Sequence, residues 1–277
     1  MLSKIGLLRT KGFTLRKTTK AHLITFSNRG YASPERILNQ ARRSGFFESA
    51  IAYGEKDIKP LIKKHRFHFL TQKKNGFGTF IWKPYIIYNH LRLLPEGARL
   101  VYADLGCHIN SNLPDLIEKY FRLIESQDNQ FGVFEAGPAY DAKLYVTKNA
   151  VLGYFPEFYR INQKYLYAGL LLLRNSAETR QMVKDWLSLC ETHLPKYYSP
   201  FRWRGSQIQG FVGQDTDNGL LPLVLAKHGR TTYFDGTQVN LYDSSGWQLK
   251  HVLSDSDYQN ADWGKLASFP FSYRRDR

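Results

Sequence analysis

Cysteine is scarce in this chain: Cys107 and Cys190 are the only two in 277 residues. Two thiols cannot build a disulfide framework or complete a four-ligand zinc site, so a reducing compartment is the simpler setting. Long apolar runs are missing too. The longest, Tyr165 to Leu173, falls well short of the roughly 20 residues that a bilayer span needs, and no transmembrane helix is expected. A secretory signal needs an uninterrupted apolar core of about 7–15 residues, whereas Ile5 to Leu8 is short and contains Gly6, so secretion is not expected either. The sequence has no internal repeat and no low-complexity linker. What is present is 43% hydrophobic residues, 15% aromatics and 23% charged residues, which is the make-up of a folded chain and excludes a solvated, disordered one. The length supports a substantial core.

Acids are absent before Glu35, while Lys4, Arg9, Lys11, Arg16, Lys17, Lys20 and Arg29 lie in that stretch. Residues 1–20 therefore read as a basic arm, and Arg274, Arg275 and Arg277 add cations at the other end. The acid-free arm also suits an organelle transit peptide. Over the whole chain 39 Lys+Arg face 24 Asp+Glu, a net charge of +15. Such an excess favours an anionic partner, whether membrane lipid, nucleotide phosphate or nucleic acid. A solvated, solubilising surface explains the same charge.

The pattern along the chain alternates strands and helices. His22–Phe26 reads as a first strand, with Ser27, Asn28, Arg29 and Gly30 as the loop behind it. Ser33 and Pro34 open a helix with an apolar stripe of Ile37, Leu38 and Ala41, stopped by Gly45. Phe47–Tyr53 is the second strand. A helix over Trp82–Leu94 leads to a strand over Arg99–Ala103, followed by a helix over Leu113–Ile124 and a strand over Phe131–Phe134. The second half offers a buried strand over Tyr165–Leu173, an amphipathic helix over Ala177–Cys190 and a shorter helix over Leu220–His228. This order predicts an α/β fold with an open, mostly parallel sheet flanked by helices. Ligands of such sheets sit beyond the carboxyl ends of the strands. That places the Ser27–Arg29 loop and the Asp104–His108 loop on one edge.

Three segments carry residues suited to chemistry. Asp104 follows the apolar strand Val101–Ala103, and Gly106 lets a ligand approach the backbone. A carboxylate so placed can take a ribose hydroxyl or a divalent cation, or simply form an Asx-turn. Gly76 and Gly78, with Phe77, Phe80, Trp82, Lys83 and Tyr85, make an aromatic turn running into a helix whose first turn holds a cation. That combination suits a base or sugar and a phosphate, or equally a buried aromatic hinge. Gln214, Asp215, Thr216, Asp217 and Asn218 crowd two acids before the Leu220 helix, where either acid can serve as a base and Asp217 can also cap the helix. Among the histidines only His65-x-x-His68 has even incidental ligand spacing, and core-edge roles are the default. Lys196–Arg204, with Tyr197, Tyr198, Phe201, Arg202 and Trp203, interleaves rings and cations as a grip for a glycan, a lipid headgroup or single-stranded nucleic acid.

The run Gly76-Phe-Gly-Thr-Phe-Ile-Trp-Lys-Pro-Tyr-Ile-Ile, then Leu94-Pro-Glu-Gly, then Val101-Tyr-Ala-Asp-Leu-Gly-Cys, resembles bacterial polysaccharide-biosynthesis glycosyltransferases of the nucleotide-diphospho-sugar, GT-A-like type. Looser similarity takes in Gln40-Ala-Arg-Arg-Ser-Gly-Phe-Phe, Tyr167-Ala-Gly-Leu and Asp217-Asn-Gly-Leu-Leu-Pro, so that it spans about Ala21 to Tyr233. The resemblance implies a GT-A-like open mixed sheet. It also implies a single transferase domain over residues 21–277, with a nucleotide-binding half at about 21–135 and an acceptor half at about 136–277.

The same resemblance implies roles for particular residues. Phe26, Ser27, Asn28, Arg29, Tyr53, Gly76, Gly78, Trp82, Lys83, Asp104 and Gly106 would bind the donor. The resemblance aligns Asp217-Asn218 with an acceptor-facing pair, so that Asp217 or Asp215 would act as base, while by residue type alone Ala168 and Gly169 let a sugar lie against the backbone and Trp203 and Arg204 suit an acceptor. GT-A enzymes commonly carry Asp-x-Asp, the second acid holding Mn²⁺ or Mg²⁺. Here that position is Gly106, so Asp104 would need a second ligand such as His108 or His251, or Lys83 would supply the cation. The expected reaction is transfer of a hexose from a nucleoside diphosphate, UDP favoured, to a polysaccharide or lipid-linked glycan of the cell surface. It would take place in the cytoplasm, with the basic arm against the anionic inner membrane. The alternatives are a non-enzymatic nucleic-acid-binding protein, against which stands the lack of any nucleic-acid motif, and a GT-A-fold sugar-nucleotide binder without activity.

Overall fold

The structure, a computed structural model, describes residues 20–28, 33–71, 76–137, 140–197, 206–241 and 261–273. The chain opens with β1 (Ala21–Phe26), α1 (Glu35–Ser44) and β2 (Phe47–Tyr53). The helix buries Ile37, Leu38 and Ala41 and ends at Gly45, whose φ of 64° is the left-handed cap its sequence promised. Two short helices, α2 (Lys59–Lys64) and α3 (Arg66–Thr71), and a single turn α4 (Gly76–Thr79) then lead into α5 (Trp82–Leu91). After α5 come β3 (Arg99–Ala103), β4 (Cys107–Ile109), α6 (Pro114–Ser126), β5 (Phe131–Glu135), α7 (Lys148–Tyr154) and β6 (Leu166–Arg174). The chain continues through α8 (Ala177–Tyr197), α9 (Asp217–His228), β7 (Thr231–Phe234) and β8 (Phe271–Tyr273).

Six strands form one sheet in the order β2-β1-β3-β6-β5-β7, drawing on both halves of the chain. Pairings β1–β2, β1–β3 and β5–β7 are parallel, and β6 lies antiparallel between β3 and β5. Five strands therefore run one way and β6 the other. This is the open, mostly parallel sheet flanked by helices that the order of elements predicted. A separate two-stranded sheet pairs β4 with β8, and the sequence pattern did not foresee it.

The period of two decides the two cores. Ile24, Phe26, Leu100, Tyr102, Leu171 and Leu173 face the cluster built with Trp82, Ile86, Trp186 and Leu220 of α5, α8 and α9. Their neighbours Ala21, Leu23, Val101, Ala103, Leu170 and Leu172 face Ile37, Ala41, Ile117 and Phe121 of α1 and α6. Burial on both faces explains why β6 reads as an unbroken apolar run; each leucine contributes roughly 1.5–3 kcal/mol.

Some boundaries differ from the sequence reading. The helix expected to reach Leu94 ends at Leu91, the one expected to begin at Leu113 begins at Pro114, and α8 runs on to Tyr197, past Cys190 and through Pro195. Asp217 is the first residue of α9, and Thr216 holds the N-cap position that the sequence suggested for Asp217. Because β1, β2 and β3 are parallel and β6 is reversed, the carboxyl ends of the first three and the amino end of β6 share one sheet edge.

Candidate functional site

Asp104 follows β3 on that edge, and its side chain keeps 22% of its surface exposed. Behind it lies Lys83 in the first turn of α5, with 3% of its side chain exposed. The Lys83 ammonium is 3.5 Å from Asp104 and 2.8 Å from Asp217, which is itself 1% exposed at the start of α9. The Tyr102 hydroxyl donates to Asp104, and the ammonium also lies 5.2 Å and 5.4 Å from the ring centroids of Phe80 and Tyr102. Burial pushes the Asp217 carboxyl up to about 6, against the pull of Lys83. Burial also works against the Lys83 cation, yet the two carboxylates overcome it and leave its pKa raised. The sequence offered Lys83 as a cation open to phosphate. The structure instead places it inside, as the shared counter-ion of two acids more than a hundred residues apart.

The backbone around Asp104 is held from three directions. Its amide donates to the Gly169 carbonyl at 2.8 Å, and the Cys107 amide returns to the Asp104 carbonyl at 2.9 Å. The Cys107 thiol also donates to Gly169, at 3.2 Å. From α1, the Arg36 guanidinium donates to the carbonyls of Leu105 and Cys107, and Gln40 accepts from the Ile109 amide at 3.0 Å and meets His108 Nδ1 at 3.3 Å. Gly106 thus sits on a loop fixed at both ends. The sequence reading gave Arg36 no role and Gln40 only a place in the looser resemblance. A polar pair at i, i+4 on the helix after β1 was the available signal, but nothing local shows that it faces a loop some seventy residues away.

Gly76–Lys83 wraps the other side of the lysine. Phe77, Gly78, Thr79 and Phe80 all have positive φ, at 40°, 70°, 53° and 62°. Three consecutive-turn residues other than glycine in that region store strain that the surroundings must hold. The holding contacts are visible: Trp82 Nε1 donates to the Phe77 carbonyl at 3.0 Å, and His68 Nε2 lies 2.7 Å from Thr79 Oγ1 and 3.2 Å from the Gly78 carbonyl. Phe26 and Trp82, expected beside the donor, are both buried and stack at 3.9 Å on each other. Their ring faces are spent on packing beneath the turn.

The opposite wall comes from β6 and the approach to α9. Asn218 Oδ1 accepts from the Ala168 amide at 3.0 Å, so the Ala168-Gly169 pair spans from Asn218 to Asp104. Asp215 is half-buried; it accepts from the Tyr165 hydroxyl and from the Thr216 amide, the latter at 2.7 Å. The rings of Tyr145 and Tyr165 are 4.9 Å apart, and burial, then Asp215, raises the Tyr145 pKa. The candidate residues brought together are therefore Lys83, Asp104, Gly106, Ala168, Gly169, Asp215 and Asp217.

Ser27, Asn28 and Tyr53 lie at the carboxyl ends of β1 and β2, on the same sheet edge as Asp104, as the sequence order predicted; other candidates are beyond view. Ser27 accepts a place beside β2, its amide donating to the Tyr53 carbonyl at 2.9 Å, with half-buried Asn28 next in line. The Tyr53 hydroxyl meets His90 Nδ1 at 2.7 Å. His65 and His68 do not converge: the first pairs with Glu191 at 3.2 Å, the second with Thr79. Arg29, Trp203, Arg204 and His251 lie outside the described residues, as does most of the Lys196–Arg204 segment. Among the described residues, no three His, Cys, Asp or Glu side chains gather as a metal-ligand set. Asp104, with an ammonium already beside it, does not make a divalent-cation site by itself.

No protein-family model matches the sequence, and no curated protein matches it. Solved structures similar in fold include a glycosyltransferase involved in glycosylation of the major capsid of PBCV-1, at 13% identity and a TM-score of 0.47 over 91% of each chain. Mouse xyloside xylosyltransferase 1 is similar at 11% identity and a TM-score of 0.44, over 92% of this chain and 97% of that one. The glycosyltransferase GlyE of Streptococcus pneumoniae TIGR4 is similar at 13% identity and a TM-score of 0.41, over 94% of this chain and 55% of that one.

Proposed function

We propose that this protein is a glycosyltransferase that moves a hexose from a nucleoside diphosphate donor, a UDP-sugar being favoured, to a polysaccharide or lipid-linked glycan acceptor in cell-surface glycan synthesis. One observation carries the reading. A part-exposed carboxylate, Asp104, ends a central strand and is joined through buried Lys83 to the start of α9, where Asp215 and the Ala168-Gly169 backbone form the facing wall. The Trp82-Lys83-Pro84 and Tyr102-x-Asp104-x-Gly106-Cys107 resemblance points the same way.

In this proposal Asp104 accepts hydrogen bonds from the donor's ribose hydroxyls, with Tyr102 and Lys83 fixing its orientation. The small residues Gly106, Ala168 and Gly169 leave room for nucleotide and sugar against the backbone. The acceptor hydroxyl oxygen attacks the anomeric carbon, the bond from that carbon to the diphosphate oxygen breaks, and the diphosphate leaves with the electron pair. The acceptor's proton passes to a carboxylate, and Asp215 suits this better than Asp217 because Asp217 is buried against Lys83. Mn²⁺ or Mg²⁺, held by Asp104 with a ligand such as His251 from outside the described residues, would stabilise the departing charge when bound. Lys83 is a fixed positive charge of the site and acts from behind Asp104. The basic arm of residues 1–20 would bring the enzyme to an anionic membrane face from the cytoplasm.

The test is thermal unfolding against UDP-, GDP-, CMP- and dTDP-sugars, each with and without Mn²⁺. A donor at a hundredfold over its dissociation constant adds about 2.7 kcal/mol. A selective shift that Asp104→Ala abolishes is expected. Its dependence on Mn²⁺ separates the metal from Lys83 as the charge partner. No shift with any donor, together with salt-sensitive nucleic-acid binding, would favour the binding-protein reading.

A further inference from the structure

Phe67 and Leu70 stand one turn apart on α3 with 76% and 53% of their surfaces exposed, while the residues between them, His68 and Phe69, are buried. The core under this segment is already filled by Ile58, Leu61 and Phe69. The two outward side chains therefore lie largely outside that core, and exposing them together has a cost that a single surface leucine does not. The same stretch of chain, from the turn before α2 into α3, presents exposed Lys56, Lys59, Lys63 and Arg66. Acids do not balance this surface. Glu191, on α8, is taken by Lys64 at 2.9 Å and His65 at 3.2 Å, while exposed Asp57, which accepts from the Gly54 amide at 2.8 Å, and half-buried Glu55 offset two of these four cations.

We infer that the outer face of α2 and α3 docks onto an anionic lipid bilayer. Phe67 and Leu70 enter the boundary between headgroups and acyl chains, and the lysine and arginine stems lie along it with their charges among lipid phosphates. The charge pattern selects this occupant: exposed cations in the same short stretch as a small apolar tip match a negatively charged surface that is soft enough to admit it, each contributing about a fivefold gain in partition. The face also adjoins the candidate site. The Phe69 ring, on the inner side of α3, lies against Gly78, so that a Cβ at Gly78 would come within 2.5 Å of it. Docking thus sets the strained Gly76–Phe80 turn and Lys83 near the membrane, where a lipid-linked acceptor would be presented. Only that last use rests on the transferase reading; the docking surface stands without it.

The test is cosedimentation of the full chain with vesicles of phosphatidylcholine alone and of phosphatidylcholine mixed equally with phosphatidylglycerol, at low and high salt. Expected is binding to the mixed vesicles that weakens with salt and falls at least tenfold in both Phe67→Ser/Leu70→Ser and Lys59→Glu/Lys63→Glu, with unchanged thermal unfolding. As a second measurement, the fluorescence of a Phe67→Trp chain should be quenched by brominated phosphatidylcholine in mixed vesicles beyond the quenching of the parent chain. The inference is overturned if the parent binds neither vesicle, if it binds neutral vesicles as tightly as anionic ones, or if the Phe67→Ser/Leu70→Ser chain binds like the parent, since the amino-terminal cations would then carry binding. It is equally overturned if Trp at position 67 is not quenched. None of these results depends on whether a sugar nucleotide shifts the melting temperature.

Discussion

Lys83 and Asp217 meet at 2.8 Å in a place where each keeps only a few per cent of its surface. Removing one member of such a pair leaves a charge in the interior without compensation, which typically costs about 3–5 kcal/mol. Lys83→Met is therefore expected to lose stability on that scale, and Lys83→Met/Asp217→Leu to recover much of it. Urea denaturation of the four chains of this double-mutant cycle reads the coupling. A cost for Lys83→Met near that of an ordinary surface change would sink the buried-pair account.

Acid should destabilise the protein through two histidines. Burial pushes His68 and His90 down to about 4, below the 6.5 of an unfolded chain, so the unfolded state binds more protons between those values. The stability that each gives above about pH 6.5, about 3 kcal/mol from the size of the shift, is lost as pH falls toward 4. Asp217 works in the other direction. Its carboxyl at about 6, against 3.8 unfolded, makes the folded state the better proton binder, so its contribution declines as pH rises from about 4 to 6. Stability measured by urea unfolding across this range should rise with pH. The slope should be shallower by about one proton in His90→Phe and steeper by about one proton in Asp217→Asn.

Two of the glycines fixed by close approach flank the candidate site. Gly78 has a φ of 70° and would put a Cβ 2.5 Å from the Phe69 ring, and Gly219 would put one 2.5 Å from the Tyr145 carbonyl. Alanine at either is expected to cost about 1–3 kcal/mol by overpacking. Gly219 has less room to yield because its neighbour is backbone rather than a ring. Melting temperatures of the two variants, compared with Gly153→Ala, where a Cβ meets nothing within 4 Å, provide the check.

Arg36 reaches two carbonyls of the loop after Asp104, a span that its planar fork makes and a lysine ammonium does not. Arg36→Lys is expected to keep the chain folded while weakening the donor-induced thermal shift several-fold. Equal losses in the free and donor-bound proteins would assign Arg36 to the fold alone.

The strand and helix order was legible because it is local. The alternating register of β1 and β3, the apolar stripe of α1 with Gly45 behind it, and the doubly buried run of β6 are written in residues a few positions apart. Asp104, Gly106, Lys83, Ala168 and Gly169 could likewise be singled out as residue types beside strand ends or helix starts. Their relation could not. Lys83 reads as an open cation beside a helix start, and only the packing of α5 against α8 and α9 carries it beneath Asp104 and onto Asp217. The grip of Arg36 and Gln40, and the pairing of β4 with β8, were invisible for the same reason.

Composition and periodicity by themselves determined that this chain folds, that its core is an open α/β sheet, and that a carboxylate stands at the end of a central strand. They could do so because burial of apolar faces repeats with the period of the backbone. The tertiary structure alone decided which charges meet. Desolvation makes an ion pair depend on the position of every surrounding atom, and those positions come from segments that the sequence keeps far apart.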